Sequence, residues 1–491
     1  MAYIGLDVGT SGCKAAIVER DGTMRHMAHR EYRLHSPRTG YVELNPNEVW
    51  EQVEEVLAEL AAAGTEITKI AVSSIGETMV ILDEEGSVLT NGIVYLDERG
   101  KDTLGEILGL ISAEELYKIT RAPLSHIYSL NNLLWLRKNC PEIERNADKY
   151  FLFGDFINYK LTGKRMIDPS SASRTLFMDV ENRRWSEKIA DLFAVPINKF
   201  SEIRPTGTNM GKILPEIAER TGLPPEVEVI LGCHDQCSAM VGAGCAERGD
   251  IVISEGSSES INLLIDENDY KDSFYEACLC AEPFIRDGQY MVPIGFLAHG
   301  TSIRWFLDKF GADFGVPGQE EKENRYEKAD FGCPEDCGDL MCIPYLSSVQ
   351  TRDAYNQVKG CFTGLDLTCD KGMMYRALLE GLCFETKSAI DVLRRLELKM
   401  NDLTATGGCA QSHVFMQMKA DMLERPIQIL ESPEAGILGL AALCAAEDKA
   451  FPDLSHAGKT FAKMGRVYQP QKNYTDKYKK YQKMIKIMRE L

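Results

Sequence analysis

A strand, a turn of small residues and a second strand occur twice in this chain, about half a chain apart. That repetition constrains the fold more than any other feature of the 491 residues. The first copy is apolar from Tyr3 to Asp7, turns at Gly9-Thr10-Ser11-Gly12 and resumes from Cys13 to Val18. The second runs from Asp250 to Glu255, turns at Gly256-Ser257-Ser258 and resumes from Ser260 to Ile265. A chain of this length exceeds one ordinary core, and an internal echo predicts two similar domains. The boundary is expected near 245–252, at Gly244 to Gly249, which gives domains of 1–248 and 249–491.

Each copy is followed by helical and strand patterns. Asp21-Gly22 turns the first hairpin into a third strand. Within Asn47 to Ala63, the residues Val49, Trp50, Val53, Val56, Leu57 and Leu60 recur at helical spacing. Strands are expected at Lys69 to Ser73, Thr78 to Leu82 and Gly92 to Tyr95, and helices at Ser129 to Asn139 and Ser186 to Phe193. In the second half, helical patterns cover Gly372 to Leu396, Val414 to Leu423 and Ala435 to Ala446. Strands followed by helices, twice over, predict two α/β domains with mixed sheets. The lysine-rich tail places Tyr474, Tyr478, Tyr481, Ile485 and Met488 on one face of a docked amphipathic helix.

Charge narrows the partners. With 55 Lys and Arg against 74 Asp and Glu, the formal net charge is −19, which repels nucleic acid and anionic membrane. A local nest of backbone N–H groups can still bind phosphate on an acidic protein. Met1-Ala2-Tyr3-Ile4-Gly5 runs straight into a strand pattern with no leader signature, and no apolar run reaches membrane-spanning length; the expectation is cytoplasmic. The fifteen cysteines are scattered in a large chain, so buried reduced thiols are expected. Cys233-His234-Asp235-Gln236-Cys237 and the group Cys333, Cys337, Cys342 lack paired metal-ligand spacing.

Four segments carry chemistry. In Asp7-Val8-Gly9-Thr10-Ser11-Gly12-Cys13-Lys14, glycines allow close backbone approach, Thr10 and Ser11 add hydroxyls, Lys14 adds charge and Asp7 can hold Mg²⁺. Alone it reads equally as a phosphate hairpin or an ordinary polar turn. Gly256-Ser257-Ser258 has the same character, and two such turns could grip one polyphosphate from opposite sides. Gly232-Cys233-His234-Asp235-Gln236 follows the apolar strand Val227 to Leu231. Asp235 could take a proton from an attacking hydroxyl, or cap the helix that follows; local sequence alone favours the cap. Gly407-Gly408-Cys409-Ala410-Gln411, after Asp402 to Thr406, offers a bed for a flat ring or a phosphate, whereas Gly436-Ile437-Leu438-Gly439 reads as close helix packing.

In this order, the segments resemble the FGGY family of carbohydrate kinases, within the actin-like ATPase superfamily, from about Tyr3 to about Ala446. Asp7 to Gly12 and Gly256 to Ser258 look like the family's two phosphate hairpins. Ser171-Ala172-Ser173-Arg174-Thr175 looks like the N-A-S-R-T segment of glycerol kinases, and Gly232 to Gln236 like the segment whose aspartate is the catalytic base. Ala298 to Trp305 resembles the A-G-A-S-I-Q-W stretch beside the nucleotide. Pro344-Tyr345-Leu346-Ser347 and Gly360 to Leu365, running on to Glu380, resemble the C-terminal signature, and Gly407-Gly408 the adenosine turn. Met373, Asn132 and Ser347-Ser348-Val349-Gln350 depart from the family's pattern. The resemblance implies two ribonuclease-H-like domains around a central cleft, with ATP and Mg²⁺ as cofactors, and for assembly a homodimer. It turns Asp235 from cap to base. Mg²⁺ would lie near Asp7 and Asp235. Gly9, Thr10, Ser11, Lys14, Gly256, Ser257 and Ser258 would hold the phosphates, with Gly300, Gly407, Gly408 and Gln411 around the nucleoside.

The implied activity is transfer of phosphate from ATP to a hydroxyl of a small sugar or polyol. Ser74-Ile75-Gly76-Glu77-Thr78 falls where glycerol kinases read Q-R-E-T, so Glu77 resembles the carboxylate that binds substrate hydroxyls. Thr78, Asp97, Arg99 and Gln236 are expected beside it. Gly76 stands in place of an arginine and is expected to leave room for a substrate longer than glycerol, a four- to six-carbon ketose or polyol. The charge of Glu77 argues against a sugar acid. An actin-like ATPase or chaperone is the alternative that Ser171 to Phe177 and the C-terminal signature oppose. A non-catalytic sugar sensor is opposed by the presence of both Asp7 and Asp235.

Overall fold

The computed structural model describes residues 2–296, 298–315, 324–346 and 359–490. Ser347 to Gln350 of the signature region lie outside them. Six strands form the first sheet: β1 (Ala2–Val8), β2 (Gly12–Glu19), β3 (Met24–Glu31), β4 (Ile67–Ser74), β5 (Asn209–Lys212) and β6 (Glu228–Ile230). Their order is β5-β6-β4-β1-β2-β3. β1 pairs antiparallel with β2 and parallel with β4, which pairs parallel with β6.

The second sheet has seven strands: β7 (Ile251–Glu255), β8 (Glu259–Asp266), β9 (Glu282–Pro283), β10 (Gln289–Phe296), β11 (Leu403–Thr406), β12 (Ile427–Leu430) and β13 (Met464–Tyr468). Its order is β9-β10-β8-β7-β11-β12-β13. Again a hairpin, β7–β8, is followed by parallel neighbours, β11 and β12. The run β3-β2-β1-β4-β6 therefore has its counterpart in β10-β8-β7-β11-β12, and the echo read from the turns is a repeat of topology.

The central strands are buried on both faces and need cover on both. Helix α1 (Pro46–Ala61) supplies one side. Asn45 caps it by accepting from the Asn47 N–H at 3.0 Å, Pro46 opens its first turn, and Val49, Trp50, Val53, Val56, Leu57 and Leu60 form its buried stripe. Six further helices matter to the site: α2 (Asp235–Gly242), α3 (Gly300–Phe310), α4 (Lys371–Arg395), α5 (His413–Leu423), α6 (Ala435–Glu447) and α7 (Thr475–Glu490).

Helix α6 is apolar nearly all round, as a helix buried on every side must be. It belongs to the second half of the sequence but packs on β1 and β4 of the first sheet and crosses α2. Glycine makes that crossing possible. A Cβ at Gly439 would lie 1.9 Å from the Ser238 carbonyl oxygen, and one at Gly242 would lie 1.8 Å from that of Ala435. The reading of Gly436 to Gly439 as close helix packing agrees with this contact. Polar ties reinforce the junction: the Tyr3 hydroxyl donates to Asp448 at 2.9 Å, and buried Lys69 meets Glu228, Glu447 and Asp448.

Two expected strands lie elsewhere than the main sheets. The Thr78 to Leu82 segment pairs at Met79–Leu82 with Lys149–Leu152, and Gly92 to Tyr95 shortens to Gly92–Ile93 in a small sheet with Leu34–His35 and Glu43–Leu44. An apolar run predicts extended backbone but not its partner. Helix α7 docks as expected: Tyr478, Tyr481 and Ile485 are buried, and the Tyr481 ring lies 4.9 Å from that of Phe384 on α4. Among the described residues no helix is long and apolar enough to cross a membrane.

Candidate functional site

The two turns singled out in the sequence are tight hairpins at equivalent strand ends. In the first, Gly9 N–H donates to the Gly12 carbonyl at 3.0 Å, and the Tyr32 hydroxyl donates to the Gly9 carbonyl. In the second, Gly256 N–H donates to Ser258 at 3.0 Å, and Gly256 and Ser257 are exposed. Thr301 N–H, at the start of α3, donates to the Ser257 carbonyl at 3.0 Å and fixes that hairpin's angle.

Glycines let the expected nucleotide segments close on the second hairpin. A Cβ at Gly300 would be 2.3 Å from the Gly256 carbonyl oxygen, and one at Gly407 would be 2.6 Å from that of Glu255. Gly407 also has φ of 100°, a conformation glycine adopts without strain. Gly408 faces open space and Gln411 is exposed, so this ledge has room above it. Gly256, Ser257, Ser258, Gly300, Gly407, Gly408 and Gln411 thus gather in one region of the second half.

Asp7 ends β1, where its carboxylate accepts from Ser73 at 2.7 Å. Burial pushes it up to about 7, and the charge of Asp235 adds to the rise. The two carboxylates are therefore close enough for the charge of one to act on the other. Asp235 is the first residue of α2 and does not cap it; His234 holds that position. Instead its side chain is half-exposed, with Oδ1 shielded from solvent and accepting no hydrogen bond, 3.1 Å from His234 Nε2. Gly232 brings the segment in, since a Cβ there would strike the Val72 carbonyl at 1.9 Å. An oxygen-rich pair of carboxylates, one of them half-exposed, is the donor set a hard divalent cation prefers.

The expected substrate residues divide. Glu77 is buried and ion-paired with Arg174, whose other amino group lies 3.4 Å from Glu282. Thr78 is buried beside it with no partner for its hydroxyl. Gln236 accepts from Asn262 at 3.0 Å. Asp97 and Arg99 are spent on each other: Arg99 Nε and Nη2 bond Asp97 at 2.8 to 3.0 Å, Nη2 also meets Glu43 at 2.7 Å, and the guanidinium stacks on Tyr41. This pair braces a turn. Lys14 is likewise engaged, 3.0 Å from Glu434 across the junction.

Two steps of the substrate argument are corrected. Gly76 does not open space, because Arg174 and His234 occupy it: a Cβ at 76 would lie 2.9 Å from Arg174 Cγ and 3.2 Å from His234 Nε2. Nor does Glu77 present a bare negative charge, because Arg174 offsets it. Gly76→Ala is therefore expected to push Arg174 off Glu77 and raise KM for the sugar on the order of tenfold, with KM for ATP unchanged. Steady-state kinetics in both substrates check this, and an unchanged sugar KM would contradict it.

Sequence reasoning passed over several residues gathered here. Arg174 lay inside a quoted motif without a role. His234 was given no role by the sequence, and Glu282 holds its Nδ1 at 2.8 Å. Burial lowers that imidazole, but Glu282 and Asp235 outweigh it and hold His234 above its usual value. Tyr95 bonds Thr10 and feels the charge of Asp235. Glu282 had no sequence signal at all, being one acid in an apolar stretch. All fifteen cysteines are free thiols. His234, Cys237 and Glu282 do converge within 4.8 Å, as do Glu255, Glu259 and His299; Glu282 is ion-paired with Arg174, and Glu255 and Glu259 with Lys419.

Two topologically matched domains, each with a hairpin of small residues at an equivalent strand end, define a fold of the actin-like ATPase class. The sequence pattern of the FGGY family of carbohydrate kinases, N-terminal domain, matches residues 2–242, and that of the C-terminal domain matches 260–447. The chain belongs to the FGGY family and is a sugar kinase. It is 26 % identical over 482 residues to the xylulose kinase of Bacillus subtilis strain 168, covering 97 % of this chain and 94 % of that one. It is also 26 % identical over 452 residues to the gluconokinase of the same strain, covering 90 % and 86 %. Among solved structures, xylulose kinase from Rhodospirillum rubrum superposes with a TM-score of 0.88 at 24 % identity, covering 99 % of each chain. Family membership removes the chaperone and sensor readings.

Proposed function

We propose that this kinase phosphorylates a hydroxyl of a neutral four- to six-carbon ketose, such as xylulose, or a polyol, with ATP as donor and Asp235 as base. The observation that carries the substrate class is charge balance. Glu77 and Glu282 face Arg174 and His234 in mutual pairs, which leaves alternating donors and acceptors and no surplus cation for a carboxylate. That wall suits a chain of neutral hydroxyls. The similarity to proteins named xylulose kinase agrees with it.

In this mechanism the sugar hydroxyl gives its proton to Asp235, its oxygen bonds to the γ-phosphorus, and the bond to the ADP oxygen breaks. Phosphoryl transfer depends mainly on positioning and on stabilising charge. The N–H groups and hydroxyls of Gly9, Thr10, Ser11, Gly256, Ser257 and Ser258 would cradle the phosphates, with the nucleoside over Gly300, Gly407, Gly408 and Gln411. Asp7 and Asp235 would hold Mg²⁺, which when bound neutralises phosphate charge. Closure of the two domains on the sugar would exclude water and limit ATP hydrolysis.

The test is a coupled ADP-release assay over xylulose, other ketoses, polyols, glycerol and gluconate. A neutral ketose or polyol is expected to give the highest kcat/KM. Gluconate as the preferred substrate would overturn the charge-balance argument.

A further inference from the structure

Glu282 sits on β9, the edge strand of the second sheet, yet its side chain is fully buried against the first half. Its Oε1 takes His234 Nδ1 at 2.8 Å and the Cys237 thiol at 3.4 Å, while Oε2 lies 3.4 Å from Arg174 Nη1. The segment before it is anchored to the first half by backbone. The Tyr117 hydroxyl donates to the Leu279 carbonyl at 2.7 Å, and Ala281 N–H donates to Arg121 at 2.9 Å.

Each group that Glu282 holds faces the reaction with its other end. His234 turns Nε2 toward Asp235 Oδ1 at 3.1 Å, and Arg174 turns Nη2 onto Glu77. A buried carboxylate has a strong requirement for such partners, because an unpaired charge in that position is costly. The requirement acts in reverse as well. With Oε1 accepting from Nδ1, the ring plane of His234 is fixed, and with it the direction of Nε2. One side chain from the second half thus sets the orientation of two groups in the first, one beside the base and one beside the substrate carboxylate.

We propose that Glu282 is a positioning residue through which the C-terminal half completes the sugar site, by locking His234 against Asp235 and Arg174 against Glu77. This rests on the reading of Asp235 as base and Glu77 as part of the sugar wall. A displacement near 1 Å at such a site is enough for a large kinetic effect. Among the described residues the Glu282 carboxylate bonds His234, Cys237 and Arg174, all in the first half and away from the ledge at Gly256, Gly300 and Gly407, so the loss is confined to the sugar side.

The experiment is steady-state kinetics of Glu282→Gln with xylulose, glycerol and ATP varied in turn, beside the wild-type enzyme. The expected result is a rise in sugar KM on the order of tenfold with a fall in kcat, and an ATP KM within about twofold of wild type. His234→Gln combined with Glu282→Gln is expected to lose little more than the single variant, since the two act as a unit. Should Glu282→Gln fail to fold, Glu282→Asp keeps the charge, cannot span both partners and is expected to give the same KM split. An active wild type with unchanged sugar KM in these variants would overturn the role of Glu282 alone, as would equal rises in both KM values. A wild type inert toward every sugar tested, while still binding ATP, would overturn the sugar-kinase mechanism and this proposal together.

Discussion

Asp235→Asn is expected to lower sugar-dependent ADP release by a factor on the order of 10² to 10⁴, the usual contribution of a general base. The amide is isosteric and cannot accept the hydroxyl proton. It keeps the backbone of α2 intact, because Asp235 contributes no capping bond to that helix. ATP binding, measured by calorimetry without sugar, should survive, since the glycine ledge of the second half is untouched. The separation of the two readouts matters more than the size of the loss. Near-normal turnover in this variant would remove Asp235 as the base, whatever the substrate proves to be.

Lys419→Met is expected to cost about 3–5 kcal/mol of stability, the range seen when one partner of a buried ion pair is removed. Lys419 projects from α5 into the interior below the second phosphate hairpin and is fully buried. It is ion-paired with both Glu255 and Glu259, the residues that flank Gly256-Ser257-Ser258. Thr386 of α4 donates to Glu259 at 2.9 Å, and His299 lies 3.3 Å from Glu259 and 3.5 Å from Glu255. Burial raises the Glu255 carboxyl despite Lys419, whereas at Glu259 the lysine outweighs burial and holds the group below its usual value. Burial also pushes His299 down to about 4, so it brings no positive charge at neutral pH. Methionine fills the stem's volume but strands the charge of Glu259. Urea unfolding followed by fluorescence checks the loss. Adding Glu259→Gln to Lys419→Met should recover part of it, because that change removes the stranded charge. A single variant within about 1 kcal/mol of wild type would show that the cluster is already neutral.

Much of this architecture was legible because it depends on local chemistry. The two hairpins were readable from small residues between apolar runs, and α1 from its 3.6-residue stripe. Asp7 and the glycine turns stood out because a strand end followed by glycine restricts what the backbone can do there, whereas local sequence favoured a cap at Asp235 and only the family resemblance made it a candidate base. Their gathering into a kinase site came from the order of the motifs.

The misread residues share one cause. Gly76 was taken as lost volume because a missing side chain says nothing about what a distant segment places in the gap; Arg174 and His234 fill it. Asp97 and Arg99 pair with one another and with Glu43, a tie that their spacing in the sequence did not reveal. Glu282, Lys419 and Glu259 carried no signal, because a buried charge is defined by partners that can lie far away in sequence.

The sequence alone thus determined the doubled α/β plan and the two small-residue turns, since hydrophobic periodicity and glycine backbone freedom act within a few residues. Only the tertiary structure decided which charges meet. It laid α6 of the second half on the first sheet and carried Glu282 to His234 and Arg174, because the energy of a buried ion depends on groups brought within a few ångströms by the fold rather than by the chain.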